Sequence, residues 1–418
     1  MTTRADAAEA HRIGPRRLLT LLSGRAAFRL LLYGSAGVLV AAWSREDFNG
    51  YAAAVGAVGW LSMVVQSGPE KAALALIPRA RRTRDQLAGM LRAAVAYVPL
   101  PFTAAAVAAL LLSPSSTVTL YLLAVAYYVG LGCGMLGVAV HRALGGYTRD
   151  TVHFTLLGVG MIGLAGLAFA VSIPPVAYLT GLLALVTVLN VALLRGLPRG
   201  GGPNPGPNPG PNPGPHRGPH RGLRRVLGRT VVLMGAADVM NNAMIGTLFV
   251  ELSLTAYASQ SGDLYMMTLG WGFAVSVVYT VLRIYQPRLV LRMSTDEAAG
   301  VRALVRRVAG LASWVSALWL VVAGAALAGG LAGTRSLVVL GVLLVTLLPA
   351  NALASFGIAV LENTGEAGLR DSAKAAVLAW AVTAALGALA VPLAGAAGAV
   401  YALGAQGLVL GLVLKRRI

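Results

Sequence analysis

Long apolar runs alternate with short, mostly basic polar ones along the whole chain. Twelve such runs can be drawn, in two sets of six. A helix rises ~1.5 Å per residue and needs about 20 apolar residues to cross a bilayer, so the pattern predicts twelve spanning helices. The first six fall at about Leu18–Ser44, Gly50–Leu76, Leu87–Leu112, Thr117–Val140, Thr151–Val171 and Pro175–Leu194. The second six fall at about Val226–Leu254, Leu264–Leu291, Val305–Leu331, Leu337–Leu361, Ala373–Leu393 and Val400–Leu414. Between the sets lies Arg199–Arg225, with three Pro-Asn-Pro-Gly repeats and two Pro-His-Arg-Gly repeats. Proline removes donors, glycine raises backbone entropy and nothing apolar is there to bury, so this stretch predicts a flexible linker with extended segments.

The chain therefore divides into a tail over 1–17, a bundle over 18–198, the linker over 199–225, a bundle over 226–414 and a basic tail over 415–418. The expected fold class is an all-α integral membrane protein, two six-helix bundles in a 6+6 pseudo-repeat. The arginines orient it. With the N-terminus inside, inner segments carry Arg12, Arg16, Arg17, Arg79 to Arg84, Arg142, Arg149, the linker arginines, Arg288 to Arg307, Arg370, Lys374 and Lys415 to Arg417. Outer loops hold only Arg45 and Arg335. Cytoplasmic loops are enriched in Lys and Arg, so both termini are expected inside. A missed helix would invert the alternation downstream.

Composition agrees. Only 12% of residues are charged and 57% are hydrophobic, against about 25% charged in soluble domains. Mean hydropathy is +0.73. The net charge of +19 would suggest nucleic acid in a soluble protein; in a spanning one it reads as basic inner loops. Arg outnumbers Lys 31 to 3, as in GC-rich bacterial coding. Cys133 is alone, so neither a disulfide nor a cysteine metal site can form within the chain. The Arg-rich N-terminus leads straight into the first run, without a cleavable signal peptide. No phosphate-binding glycine loop, His-Glu-x-x-His or Ser/His/Asp grouping occurs, so neither a catalytic residue, a metal nor a cofactor is expected.

An ionisable group at the bilayer centre costs at least ~2.5 kcal/mol, so each one inside a run needs a reason. Asp238 stands out in GAADVMNNAMIG, near mid-depth of the seventh helix, with Asn242 one turn on and Asn241 beside it. It reads as a proton or cation site, as a contact to a substrate head group, or as an interhelical hydrogen-bond cluster. Glu251 near the outer end of that helix reads as a gating or coupling group or as a snorkelled carboxylate. Glu70 and Lys71 occur in SGPEKAAL, where Gly68-Pro69 is expected to bend the helix. Adjacent helical residues point about 100° apart, so these two need not pair. Glu70 joins Asp238 and Glu251 as a candidate ion-coupling residue. Arg25, Arg29, Arg92 and Arg283 lie within a few turns of the inner surface. They make either an anion site on a central cavity or a set of snorkelling side chains. Pro287 is expected to kink the eighth helix. His216 and His220 read as spacer residues, and Gly407 with Gly411 as a site of close helix packing.

The stretch Ser44–Arg82 resembles the first helical hairpin of polysaccharide flippases in the multidrug/oligosaccharidyl-lipid/polysaccharide exporter superfamily. There an acidic-Phe-Gly-x-Tyr pattern follows the first helix. Here Glu46, Asp47, Phe48, Gly50 and Tyr51 match, with Asn49 inserted before the glycine. The YQPRL of the eighth helix resembles the family's proline-containing end of that helix. The resemblance implies alternating access, a cationic cavity and a polyprenyl-diphosphate-linked glycan as cargo.

The expected function is thus a multi-pass plasma-membrane flippase, not an enzyme, acting as a monomer in the lipid bilayer. It would move a lipid-linked oligosaccharide for cell-surface polysaccharide biosynthesis. Arg25, Arg29, Arg92 and Arg283 would hold the diphosphate, with Asn241 and Asn242 on the substrate and Asp238, Glu70 or Glu251 on a coupling cation, H+ or Na+. Two alternatives stand beside it: a cation-coupled drug or natural-product exporter of the same fold, with an acidic rather than basic cavity, and a non-transporting membrane scaffold.

Overall fold

The structure is a computed structural model that describes residues 15–78, 80, 83–198, 221–275, 298–329, 337–362 and 365–417. Every element among them is helical. The N-terminal half comprises α1 (Pro15–Ala42), α2 (Arg45–Val58), α3 (Leu61–Leu76), α4 (Arg84–Tyr97), α5 (Pro99–Leu112), α6 (Thr117–Ala143), α7 (Thr148–Val171) and α8 (Pro175–Leu194). The C-terminal half comprises α9 (Arg221–Ser253), a 3-10 turn at Ala258–Gln260, α10 (261–275), α11 (Ala298–Ala328), α12 (Leu337–Glu362) and α13 (Glu366–Arg417). Nine helical runs among the described residues are long and apolar enough to cross a membrane.

Two expected spans are interrupted. The second divides into α2 and α3 at Gly59–Trp60, and Pro69 sits inside an unbroken α3. The expected break at Gly68-Pro69 is therefore displaced two to three turns toward the start of the span. The third divides at Pro99, whose missing N–H cannot continue the α4 hydrogen-bond ladder. The last two spans run together as α13, which breaks only at Gly395, where φ is +58°. A side chain would be strained in that conformation, and the Gln260 side-chain oxygen accepts the next N–H, from Ala396, at 2.8 Å. At ~20 residues per crossing, α13 has room for two.

Three expected boundaries move. Helix α9 already begins at Arg221, so the last five residues assigned to the linker are helical. The first helix starts at Pro15 rather than Leu18, and the basic C-terminal residues through Arg417 continue α13. Pro287, His216 and His220 lie outside the described residues.

Each half is wound round one helix. Helix α6 is buried over most of its length and packs on α2, α3, α4, α5, α7 and α8. In the other half α13, most deeply buried in its second part, packs on α9, α11 and α12. There the expected close packing at Gly407 and Gly411 is seen: a Cβ on either would lie 2.4 Å from the Ser316 or Ser313 hydroxyl of α11.

The halves meet where α9 lies along α2 and α3. The closest approach joins Gly68 and Gly235: a Cβ on Gly68 would stand 2.1 Å from the Val231 carbonyl oxygen. At the end away from the linker, Arg45 Nη2 lies 3.2 Å from Asp263 Oδ2, and the Gly262 N–H donates to the Asn49 side-chain oxygen at 3.0 Å. Tyr265 packs edge-on to Tyr51 and Phe48 beneath these bonds.

Candidate functional site

The close approach at Gly68 and Gly235 brings the next turns of α3 and α9 within side-chain reach. Lys71 Nζ lies 3.0 Å from Asp238 Oδ2 and 3.6 Å from Glu362 Oε2. One lysine of the N-terminal half is thus shared by two carboxylates of the C-terminal half. Two acids of one half stand against one base of the other. The side chains are 34%, 37% and 21% exposed, so the cluster is not sealed inside the protein. Ser372 Oγ adds a long 3.4 Å bond to Glu362 Oε1.

The cluster lies toward the described ends of α3 and α12. Lys71 is five residues from the end of α3, and Glu362 is the last residue of α12. Helix α9 starts 17 residues before Asp238, which at 1.5 Å per residue is about 26 Å.

The expectation that Glu70 and Lys71 point apart is borne out. Glu70 turns into the N-terminal half, where Arg142 Nη2 of α6 lies 2.5 Å from its Oε1. Gln66 Nε2 donates to its Oε2 at 2.9 Å, and Arg142 Nη1 reaches Asp150 Oδ2 of α7 at 3.5 Å. Asp150 is 1% exposed and Arg142 15%. This second network ties α3, α6 and α7 together.

Glu251 behaves differently again. Its Oε2 is buried against α13 and has no hydrogen-bond partner among the described residues. A Cβ on Gly387 would lie 2.1 Å from that oxygen, so only glycine leaves room for the carboxylate. The amides are occupied within the C-terminal half: Asn241 Oδ1 accepts from Gln406 Nε2 at 3.3 Å, and Asn242 Nδ2 donates to the Asp238 carbonyl at 2.9 Å.

Of the four arginines named as an anion site, Arg29 and Arg92 have described side chains. Arg92 Nε donates to the Leu194 carbonyl at 3.3 Å, joining α4 to α8 inside the N-terminal half. Arg29 is half-buried on α1 and engaged in a contact of its own. The Arg25 side chain and all of Arg283 lie outside the described residues.

Sequence reasoning missed Glu362 and the Lys71 bridge. Glu362 closes an apolar run, where a charge reads as a solvated helix end. The Phe48–Tyr51 motif has a local role: Ser44 Oγ accepts the Asp47 N–H at 3.1 Å and so caps α2, while buried Phe48 and Tyr51 pack across to Tyr265. No group of three or more His, Cys, Asp or Glu residues with metal-site geometry occurs among the described residues.

Comparison with family models and with curated proteins gives no match. Solved structures do match in fold. An inward-facing multidrug resistance MATE family transporter of the MOP superfamily aligns with a TM-score of 0.65 at 12% identity, over 93% of both chains. An outward-facing one aligns at 0.60 and 11% identity, over 95% of this chain and 92% of the other. A mutant of the Vibrio cholerae MATE transporter VcmN gives 0.54 at 12% identity, over 96% and 95%. The chain is thus a multi-pass membrane protein with the fold of MATE transporters.

Proposed function

We propose that this protein is an alternating-access exporter of amphiphilic cations, coupled to protons. One observation carries the reading: Lys71 of one half is held by Asp238 and Glu362 of the other, with all three side chains partly exposed. A fixed ammonium bridging two carboxylates can be displaced by a cargo cation or by protonation of either acid. Either event removes an attraction between the halves at the linker end and lets them part there. Glu251, buried and unpaired against Gly387, supplies a second site at which a proton can be held. The cargo class follows from the sign of the charge at the junction, two acids against one base, and is supported by the multidrug resistance transporters that share the fold.

The test is uptake of tetraphenylphosphonium into proteoliposomes under an imposed proton gradient. Uptake that collapses on adding a protonophore is expected. Absence of uptake at any gradient would remove the proposal. A lipid-linked glycan remains the second reading, supported by the Glu46–Tyr51 and YQPRL resemblance. It requires Arg25, Arg29, Arg92 and Arg283 to engage a diphosphate, and gradient-independent flipping of a polyprenyl-diphosphate saccharide by the same proteoliposomes would favour it.

The topology that goes with either reading is twelve crossings of the plasma membrane, both termini inside. Cys133 is fully buried, so single engineered cysteines can report it. Ser115→Cys, in the exposed α5–α6 turn, is expected to react with a membrane-impermeant maleimide in intact cells, and Lys415→Cys only after lysis. Labelling in the reverse sense would invert the assigned orientation.

A further inference from the structure

Away from the junction of the halves, the linker end of the N-terminal half holds a cavity of about 490 Å³. It lies among the C-terminal ends of α6 and α8 and the start of α7. Its charged or titratable lining is His141, Arg149 and Arg195. Buried His141 has Nε2 3.1 Å from the Leu193 carbonyl oxygen, and Arg149 Nη1 lies 3.0 Å from Nε2 and 3.1 Å from Nδ1 of the same ring. Gly196 lets the Arg149 side chain lie over the end of α8: a Cβ there would fall 1.5 Å from Nη1. No carboxylate lines the cavity. Asp150, next to Arg149 in sequence, is turned inward to Arg142.

The charge balance can be estimated. Two guanidinium groups and the N-terminus of α7, worth about +0.5 charge, face two helix C-termini, each worth about −0.5, which leaves between roughly one and two positive charges uncompensated. A lipid-facing stripe ends at each arginine. On α7, Val152 and Leu156 share the Arg149 face and are both 50% exposed. On α8, Val191 and Val188 stand one and two turns before Arg195 and are 46% and 66% exposed.

We propose that this cavity binds the phosphate of an anionic phospholipid, whose acyl chains lie along the α7 and α8 stripes. A phosphodiester head group brings a negative charge that the cavity lacks. Bidentate guanidinium contacts from Arg149 and Arg195 hold its oxygens. The stripes, exposed without lipid, are covered by its tails. This site is independent of the Lys71 cluster and of the cargo.

The test is native mass spectrometry of the full chain in detergent, titrated with dioleoylphosphatidylglycerol or dioleoylphosphatidylcholine, with and without millimolar inorganic phosphate. A preferentially retained phosphatidylglycerol is expected, unaffected by inorganic phosphate. At ~1 kcal/mol per basic residue near a charged lipid surface, Arg149→Gln with Arg195→Gln is expected to weaken its binding roughly 30-fold. The charge-keeping pair Arg149→Lys with Arg195→Lys should retain most of it, which keeps the result readable if the glutamine variant is unstable. Exposed Arg306→Gln, on α11, should change nothing. Equal retention of both lipids, undiminished binding by the double glutamine variant, or displacement by inorganic phosphate would each overturn the assignment, the last by making it a site for a soluble phosphate.

Discussion

Asp238→Asn is expected to lower proton-coupled tetraphenylphosphonium transport about tenfold or more, within the 5–150-fold range of typical coupling free energies. Asparagine keeps the shape of the side chain but removes the charge that holds Lys71 at 3.0 Å. Lys71 keeps Glu362 at 3.6 Å, so the halves still meet, but the cluster becomes neutral and no longer favours a cargo cation over its own ammonium. Lys71→Ala should lose coupling to a similar extent by the opposite route, leaving two carboxylates without their cation. Because both changes disable one device, the double variant should lose little more than the worse single one. Exchanging the charges, Lys71→Asp with Asp238→Lys, should recover part of the rate. Full coupled transport by Asp238→Asn at normal protein level would remove Asp238 from the mechanism.

The second large effect belongs to stability. Arg142→Ala leaves Glu70 and Asp150 facing each other's surroundings without their common cation, in positions 19% and 1% exposed. Removing one partner of such a buried set costs about 3 kcal/mol or more. The expected outcome is a protein that aggregates at clearly lower temperature when heated in detergent and assayed by size-exclusion chromatography. Arg45→Ala breaks an ion pair whose arginine is 65% exposed, and should leave the aggregation temperature where it was. Equal heat resistance in Arg142→Ala would show that the network is dispensable. The contrast matters for Glu70: it was expected to couple ions, yet its carboxylate is held by Arg142 and Gln66 within one half.

Much of the fold was legible because a bilayer imposes a length. Runs near 20 apolar residues mark helices however they pack, and Pro175–Leu194 emerges with both ends as read. The break at Gly59–Trp60 was not legible, since the apolar run continues through it and only the backbone changes. Among site residues, Asp238 was visible as a charge inside such a run, and the angular split of Glu70 and Lys71 follows from helix geometry alone. What no local pattern carries is which residue waits on the other helix. Lys71 meets Glu362 across 291 positions of sequence (362 − 71), and Glu70 meets Arg142 across 72. Glu251 was legible as a charge but not as an orphan, because that depends on Gly387 opposite it.

Helix α9 touches every part of this machinery: Gly235 at the tightest crossing, Asp238 at one end of the junction and Glu251 toward the other. Its 33 residues form a rod about 50 Å long. Pivoted near its middle, such a lever swings each tip by about 4 Å for a tilt of about 10°, the scale of known rigid-body rotations. Gly235 and Asp238 lie within a turn of that midpoint and Glu251 is two residues from the end, so the tilt carries the Glu251 carboxylate through nearly the whole stroke while the Lys71 contact stays close to the pivot. The far carboxylate would then move while the crossing stays closed, with timing set by stiffness rather than by any relay of side chains.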